Sequence, residues 1–466
     1  MRPKILATLT LFLTVCAAFA ADITTFDQRA AATVAAFNGT AEEFEAFVAS
    51  GYAPKLRERS NPESRKEFFQ RLRGDFGTVK IAGPIKVVSE TKAVVPVEGS
   101  TGLRGAFILE HEKEAPFLIT MFSVDVGGEG DEKEIPPPPI DGKMNAKQLT
   151  SALGGYMKKL SDAGDFSGVV LVARNGKPVF EQAYGMASRA YKVPNTTATR
   201  FDIGSINKQF TRVAIGQLMM EGKLTPDDTI GKLLPDYPNE NARKATIAQL
   251  IDHRGGLADF FGPDLGAMSR ERFRSNHDWY LYTSPKALLF EPGTKKQYCN
   301  SCYVVLGEMV ERLSGMPYER YIERNVFARG GITHSGFFHD DDIVPDLATG
   351  YSLALGGGKV RSNILVHGAA PNAAGGAYMT AADLLAFDNA LSNAKLLDAK
   401  TTAWFFKMPA STQPPFIAEG MYAGGMMGVN AAVATGGEWT VVALANIDPP
   451  AAEGLAPVIW KALAGK

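Results

Sequence analysis

The chain has 466 residues, of which 45% are hydrophobic and 21% are charged, and its formal net charge is −1. This composition is typical of a soluble globular protein, and the length suggests about two domains. Because the sequence has no long basic run, nucleic acid is not an expected partner. After the first twenty residues no apolar stretch is long enough to span a membrane, so no stable membrane span is expected in the mature protein.

The first residues have the pattern of an export signal. Arg2 and Lys4 give a positive start, residues 5–15 are mostly apolar, and a small-x-small cleavage sequence ends at Ala20. We therefore predict a signal peptide over residues 1–20, cut after Ala20. The mature protein is expected to be periplasmic or secreted.

Residues 21–126 show helical patterns first and strand patterns afterwards. Apolar residues at three and four spacing predict helices over residues 26–37, 41–50 and 64–72, and five short β-rich runs follow Asp75. Helices grouped before strands favour a small α+β accessory domain with an antiparallel sheet. The pattern alone resembles the cone-shaped domains of the nuclear-transport-factor-2-like superfamily, and no catalytic cluster is apparent in it.

Residues 127–147 have the composition of a linker. Glycine and acidic residues fill its first part, and four consecutive prolines at residues 136–139 stiffen the second, which favours an extended spacer. We place the domain boundary here. The second domain is therefore predicted over residues 148–466.

The second domain begins and ends with strand patterns. Residues 166–184 contain two β-rich segments joined through Asn175 and Gly176, a strong hairpin signal, and a matching pair surrounds Gly436 near the C-terminus. The middle, roughly residues 210–390, is mainly helix and loop. These patterns predict an α+β fold in which an antiparallel sheet is built from both ends of the domain, with a helical subdomain inserted between its halves.

A buried helix over residues 210–220 carries the strongest candidate for a catalytic pair. Its apolar residues run almost all round, as in a helix enclosed by other elements, and Gly222 follows it as a residue that tolerates a left-handed turn. Ser205 stands at the N-terminal end with Lys208 three residues on, so the two side chains share one face. A partly desolvated amine there would have a depressed pKa and could take the hydroxyl proton.

The Ser-x-x-Lys spacing alone is a weak signal for catalysis. The chain has two more copies of it, at Ser89/Lys92 and Ser392/Lys395, and neither of these opens a buried helix. The alternative interpretation of Ser205 is a helix cap without a catalytic role, which is a common duty of serine at this position. These residues by themselves leave both interpretations open.

Five segments of the second domain follow one another in the order found in one enzyme family. They are an opening strand at residues 166–173, a nucleophile segment at 199–211, a His-containing loop at 247–257, a Phe-Glu-Pro-Gly segment with Tyr-x-Asn at 290–301, and a further stretch at 374–384. Together they resemble the serine β-lactamase and penicillin-binding-protein-like hydrolases, and most closely the class C β-lactamase-like group of esterases and D-peptidases. The resemblance implies the β-lactamase/transpeptidase-like fold.

The resemblance also implies roles for individual residues. Ser205 would be the nucleophile, Lys208 and Tyr298 the proton-handling pair, and Asn300 a side chain that orients the substrate or Lys208. The oxyanion donors would be the backbone N–H of Ser205 and one N–H from a C-terminal strand. Because a phenol with its ordinary pKa of about 10 is a poor base, Tyr298 must lie near Lys208 to act as a phenolate or as a relay. The alternative for Tyr298 is a core aromatic.

The third motif departs from the family pattern. The family usually has Lys or His, then Thr, Ser or Gly, then Gly on the strand beside the nucleophile, whereas this sequence has Tyr422, Ala423 and Gly424. Losing the cation weakens recognition of a substrate carboxylate, which β-lactams and peptidoglycan termini carry. We therefore expect weak or no β-lactamase or D-peptidase activity, while the backbone N–H of Ala423 could complete the oxyanion hole.

Cys299 and Cys302 lie on either side of Asn300. In an oxidising periplasm they could form a local disulfide, but we favour two reduced, buried thiols that replace small residues. A single Cys-x-x-Cys without a second pair does not indicate zinc, and no cofactor motif is present, so neither a metal nor a cofactor is expected. His253 is interpreted as a loop-structuring residue rather than a catalyst.

Two functions of different kinds follow from these observations. The first is an exported serine hydrolase that forms an acyl-enzyme on Ser205 and acts on a small ester, amide or peptide-like substrate. The alternative is a catalytically weak or inactive penicillin-binding-protein-like binding or sensor protein, suggested by Tyr422 and by the extra N-terminal domain. The sequence does not predict the oligomeric state.

Overall fold

The computed structural model describes residues 23–465, with gaps at 60–61, 102–103, 127–137, 139, 262–264, 266–267, 354, 356–358, 367 and 407–419. The predicted signal peptide and most of the predicted linker lie outside these described residues. The chain divides into two units, one containing the described residues up to Ile135 with Ser352–Arg361, the other containing Pro136–Tyr351 and Ser362–Lys466. The domain limits derived from the sequence stay a prediction.

The first unit has helices followed by an antiparallel sheet. The helices are α1 (Phe26–Asn38), α2 (Ala41–Gly51), α3 (Pro54–Arg59) and α4 (Pro62–Phe76). The strands are β1 (Val79–Ile81), β2 (Lys86–Ser89), β3 (Lys92–Gly99), β4 (Arg104–His111) and β5 (Ile119–Val126). The sheet order is β1-β3-β4-β5, and β2 pairs with the other end of β3.

Local sequence explains where the first two helices begin. Thr25 and Thr40 each form a capping box with a residue three positions on, Gln28 and Glu43, which satisfies backbone N–H groups that the helix leaves unpaired. The core of the unit is aromatic, since Phe37 packs edge-on against Phe69 and Phe107 between helices and sheet. The grouping of helices before strands, expected from the sequence, is thus present in this unit.

The second unit contains a five-stranded antiparallel sheet made from both ends of its sequence. Its strands are β6 (Gly168–Arg174) and β7 (Lys177–Tyr184), then β14 (Gly420–Met426), β15 (Val429–Gly436) and β16 (Trp439–Ala445). The order is β14-β15-β16-β6-β7, with all pairs antiparallel. Asn175 and Gly176 both have a positive φ at the β6–β7 turn, as the hairpin signal predicted.

Most of the remaining helices and short strands lie between β7 and β14, while one helix precedes β6 and one follows β16. The helices of the second unit are α5 (Ala146–Ala163), α6 (Lys208–Met220), α7 (Ile230–Leu233), α8 (Ile247–Ile251), α9 (Asn276–Thr283), α10 (Asn300–Ser314), α11 (Tyr318–Ile322), α12 (Ala328–Gly330), α13 (Ala381–Ser392), α14 (Ala399–Phe406) and α15 (Leu455–Ala464). The short strands are β8 (Met186–Ser188), β9 (Val193–Pro194), β10 (Phe201–Asp202), β11 (Tyr351–Ser352), β12 (Arg361–Ser362) and β13 (Tyr378–Met379). Among the described residues, no helix combines the length and the apolar character that crossing a membrane requires.

Apolar clusters cover both faces of the sheet. One face packs against α6 and the other against α5 and α15. Along β6, Val169 and Leu171 join the apolar cluster that contains α6, while Val170 and Val172 join the cluster formed with α5 and α15. This alternation follows from the two-residue period of a strand. The predicted fold is confirmed: the sheet comes from both ends of the domain, the helical part is inserted between its halves, and β14 forms one edge.

Candidate active site

Ser205 lies in a tight turn between a short strand and the buried helix α6. The turn is a single 3-10 helix, Gly204–Asn207, which follows β10, and the N–H of Gly204 donates to Asp202 Oδ1 at 2.7 Å. Helix α6 begins at Lys208, so Ser205 precedes the α-helix by one short turn rather than forming part of it. The first-turn N–H groups at such a helix start favour a developing negative charge.

The amine of Lys208 is buried and lies within hydrogen-bond distance of three oxygen atoms. Its Nζ is 2.9 Å from Ser205 Oγ, 2.7 Å from Asn300 Oδ1 and 2.6 Å from the carbonyl oxygen of Ala374. A neutral amine has two N–H groups and one lone pair, and the amide and carbonyl oxygens can only accept. When both N–H groups are used in this way, the lone pair is left to accept the hydroxyl proton of Ser205.

Burial also changes how readily Lys208 gives up its proton. Desolvation lowers the pKa of Lys208 from 10.5 to about 7, with a smaller lowering from Arg212 and an opposing contribution from Asp259. In a substantial fraction of the molecules the Lys208 amine is therefore uncharged at neutral pH. This is the depressed pKa that the sequence predicted for an amine beside the serine, and it gives a base suited to pH 7.

Tyr298 reaches the same serine from the loop before α10. Its hydroxyl donates to Ser205 Oγ at 2.7 Å, and Lys208 Nζ lies 4.9 Å from the centre of its ring. Desolvation of the hydroxyl raises the pKa of Tyr298 to about 12, although the residue as a whole is half exposed. The phenol therefore keeps its proton at neutral pH. Of the two roles open from the sequence, this favours a relay over a standing phenolate.

His253 binds the backbone N–H groups of the residues before and after Tyr298. The carbonyl of His253 accepts from the N–H of Gln297, its ring Nδ1 accepts from the N–H of Cys299, and its ring stacks on Tyr298 with centroids 4.7 Å apart. Desolvation lowers the pKa of His253 to about 4, which keeps the accepting nitrogen unprotonated. These contacts are those of a loop-structuring residue, as the sequence indicated.

The two cysteines of this loop are joined by a disulfide, so the expectation of two reduced thiols is wrong. Cys299 is the residue before α10 and Cys302 is in its first turn, which places their Cα atoms 5.4 Å apart, within the usual range for a disulfide. Both residues are buried. The bridge encloses Asn300, whose amide nitrogen donates to Asp259 Oδ2 at 3.0 Å.

The third motif, residues 422–424, lies on β14, and its tyrosine hydroxyl points away from Ser205. Tyr422 is partly buried and packs against the core cluster that contains α6, and its hydroxyl donates to Asp388 Oδ1 at 3.2 Å. Thr435 and Thr440 also donate to the same carboxylate. Burial raises the pKa of Asp388, and these hydrogen bonds oppose the rise. The hydroxyl of Tyr422 therefore serves the core, and the structure does not bring it to Ser205.

Backbone atoms of β14, rather than side chains, approach the serine. A Cβ placed on Gly424 would lie 2.5 Å from the N of Ser205, and one on Gly204 would lie 3.0 Å from the N of Gly425. Ala423 has its side chain on the opposite face of the sheet, in the cluster with α5 and α15. The structure thus places Gly424 beside the backbone nitrogen of Ser205 and Gly425 beside Gly204, while the sequence had proposed the N–H of Ala423 as the second oxyanion donor.

The structure brings together four of the seven side chains or residues named from the sequence. Ser205, Lys208, Tyr298 and Asn300 form one hydrogen-bonded group. Gly424 reaches this group through its backbone. Tyr422 lies on the same face of the sheet, but its hydroxyl is bound to Asp388, and Ala423 lies on the opposite face. Sequence reasoning missed the carbonyl of Ala374 and the carboxylate of Asp259. The nearest available signal was their position, within or just after segments that resemble the family.

The fold and the site together define a class: serine hydrolases of the β-lactamase and penicillin-binding-protein type, with Ser, Lys and Tyr beside an antiparallel sheet. The family model described as Beta-lactamase matches residues 153–464. The chain therefore belongs to this family, and it is a serine hydrolase.

Individual relatives agree with this assignment. A protein named as the putative penicillin-binding protein PbpX of Bacillus subtilis is 30% identical over 302 residues, covering 63% of this chain and 73% of that protein. A putative D-alanyl-D-alanine carboxypeptidase of Escherichia coli is 32% identical over 209 residues. That match covers 42% of this chain and 48% of the carboxypeptidase, so the chain spans about half the length of this second relative.

A solved structure shows the same fold. The crystal structure of a penicillin binding protein from Bacillus halodurans superposes with a TM-score of 0.58 at 28% identity. The match covers 65% of this chain and 98% of that protein.

Proposed function

We propose that this protein is an exported serine hydrolase that forms an acyl-enzyme on Ser205 and hydrolyses small esters or amides. One observation carries the proposal: Ser205 Oγ has a buried amine at 2.9 Å and a phenol hydroxyl at 2.7 Å. A helix cap needs neither group, whereas a nucleophile needs a base to take its proton and an acid for the leaving group.

Acylation begins with the proton of Ser205. Neutral Lys208 accepts this proton while Ser205 Oγ bonds to the substrate carbonyl carbon, and the oxygen of that carbonyl gains negative charge. In this proposal the N–H of Ser205 and a backbone N–H of β14 stabilise that charge, which the close approach of Gly424 to Ser205 supports. When the intermediate collapses, Tyr298 gives its proton to the departing alcohol or amine. The ammonium of Lys208 then returns a proton to Tyr298, so the net transfer runs from Ser205 to the leaving group.

Deacylation uses the same groups in the opposite direction. A water attacks the acyl carbon and gives its proton through Tyr298 and Lys208 to Ser205 Oγ, which leaves as the hydroxyl. The products are a carboxylic acid and the restored serine. Because Tyr298 is half exposed, water and substrate can approach the serine from its side.

The state of the third motif supports esters and neutral amides over substrates with a free carboxylate. The hydroxyl of Tyr422 is turned to Asp388 in the core, and it offers no positive charge to a β-lactam or a peptide terminus. We therefore propose weak or no β-lactamase and D-peptidase activity. The carboxypeptidase named among the relatives makes a D-alanyl-D-alanine peptide a necessary member of any substrate panel.

Covalent labelling tests the proposal. The mature protein is incubated with a fluorophosphonate probe and with a fluorescent penicillin, and labelled peptides are mapped by mass spectrometry. We expect fluorophosphonate on Ser205, no label on Ser205→Ala, and little penicillin label. If neither probe labels the folded protein, the binding or sensor protein suggested by the loss of the third-motif cation is the better assignment. A coloured-ester, cephalosporin and D-alanyl-D-alanine panel then ranks the substrates.

The pKa of Lys208 predicts how activity depends on pH. Only the neutral amine can accept the serine proton, so kcat/KM for an activated ester should rise with pH to a plateau, with a midpoint near 7. Tyr298, with a pKa of about 12, keeps its proton over the whole plateau. The measurement is p-nitrophenyl acetate hydrolysis from pH 4 to 9, corrected with Ser205→Ala. A midpoint near 4, or a rate that does not change with pH, would contradict the assignment of the base to Lys208.

A further inference from the structure

A carboxylate that the sequence did not single out lies directly behind the Asn300 amide. Asp259 accepts hydrogen bonds from the Asn300 side-chain nitrogen at 3.0 Å, from the Asn300 backbone N–H at 3.1 Å and from the Phe261 N–H at 3.0 Å. All these partners are N–H donors, which suits a carboxylate that carries its negative charge. Asp259 thus contacts the start of α10 and its first side chain at once.

These contacts determine which end of the Asn300 amide faces Lys208. With the amide nitrogen on Asp259, the amide oxygen points to Lys208 Nζ at 2.7 Å. The reverse orientation would place an NH2 group against the amine N–H and an oxygen against a carboxylate, and both contacts would be repulsive. Asp259 therefore keeps one N–H of Lys208 engaged, and through it keeps the lone pair directed at Ser205.

Charge adds a second effect of Asp259 on the same amine. Among the described residues, the other titratable groups that face Lys208 are Arg212, His253, Tyr298 and Tyr303. Burial raises the pKa of both tyrosines and lowers that of His253 to about 4, so these three are uncharged at neutral pH. Asp259 and Arg212 are left as the charged neighbours of Lys208, with opposite signs.

We propose that Asp259 is a positioning residue that orients Asn300 towards Lys208 and whose charge sets the pH at which the site becomes active. The proposal rests on the hydrolase function proposed above. Asp259 opposes the effects of burial and of Arg212, which both favour the neutral amine. Loss of its charge should therefore shift the activation of the enzyme to lower pH.

The test compares pH profiles of kcat/KM for p-nitrophenyl acetate in four variants and the wild type. We expect Asp259→Asn to move the midpoint down by about one pH unit, and Asp259→Glu, which keeps the charge, to leave it near the wild-type value. Asp259→Ala should move the midpoint down and also lower the plateau about tenfold, because Asn300 loses its partner. Glu291→Gln is the control, since it removes an exposed carboxylate from the loop that leads to Tyr298.

The outcomes separate this proposal from the function on which it rests. If the wild type neither turns over the ester nor takes label on Ser205, the hydrolase proposal fails and the role of Asp259 fails with it. If the wild type is active and Asp259→Asn has the wild-type midpoint, only the role of Asp259 is overturned. A lower plateau with an unmoved midpoint in Asp259→Asn would also overturn it, because that result is expected of a merely structural residue.

Discussion

Lys208→Met is expected to lower kcat/KM for an activated ester about a thousandfold while the protein still folds. Methionine keeps the length of the buried side chain but cannot accept a proton, and removing a general base costs about two to four orders of magnitude. The measurement is ester hydrolysis at pH 8 with circular dichroism to check folding. Lys223→Met, the same substitution just beyond α6 at an exposed ion pair with Glu221, should keep the wild-type rate.

The same variant gives an independent check on the pKa of Lys208. In the wild type the pKa of Lys208 is about 7 in the folded protein and 10.5 in the unfolded chain. Between pH 7 and pH 10.5 the unfolded chain therefore binds more protons than the native protein. Wild-type stability should therefore rise with pH from about 7 towards 10 relative to Lys208→Met. A constant difference in Tm from pH 7 to 9.5, or an ester rate close to wild type, would remove Lys208 from the mechanism.

The sequence predicted those parts of the site that depend on local spacing. Ser205 and Lys208 are three residues apart at the start of a helix, so their contact follows from helical geometry once the helix is recognised. The sheet could also be predicted, because residues 169–173 of β6 are apolar and the Asn175-Gly176 turn fixes its hairpin. Tyr298 and Asn300 came from a resemblance to a family segment, and no periodicity would have supplied them.

The parts that the sequence did not predict depend on contacts between distant segments. The carbonyl of Ala374 can be contributed by any residue type, so no letter in the sequence identifies it. Asp259 is one of many acidic residues, and its contact with Asn300 exists only after the loop at residues 253–259 packs on α10. The direction of Tyr422 is a similar case, since strand alternation relates it to Gly424 but does not reveal Asp388 as its partner.

The disulfide shows a different limit of sequence reasoning. A Cys-x-x-Cys spacing is compatible with free thiols, a metal ligand pair or a bridge, and the choice depends on backbone geometry. At the N-terminus of α10 the residue before the helix and the third residue of its first turn come close together, so the bridge forms between Cys299 and Cys302. Knowing that a helix begins at Asn300 would have been needed to prefer this pairing.

Gly424→Ala is expected to reduce kcat/KM at least about a hundredfold and to destabilise the protein by about 1–3 kcal/mol. The added methyl group would meet the carbonyl oxygen of Ile203 and the backbone nitrogens of Ser205 and Ile206, the last two at 2.5 and 2.8 Å. These are backbone atoms of the turn that carries Ser205, and they cannot rotate away. The edge of β14 must therefore move back from Ser205, which separates the two N–H groups proposed to stabilise the oxyanion.

Gly420→Ala is the matched control, because it makes the same change four residues earlier on the same strand. At this position the part of the chain that the structure describes has no neighbouring atom within 4 Å. Neither glycine has a positive φ, so backbone strain does not distinguish the two substitutions. We expect Gly420→Ala to keep wild-type kinetics and to change stability by no more than about 0.5 kcal/mol. Fluorophosphonate labelling rates and urea unfolding measure both effects. Similar behaviour of the two variants would mean that the close approach of β14 to Ser205 is not required for acylation, and the oxyanion donors would have to be sought elsewhere.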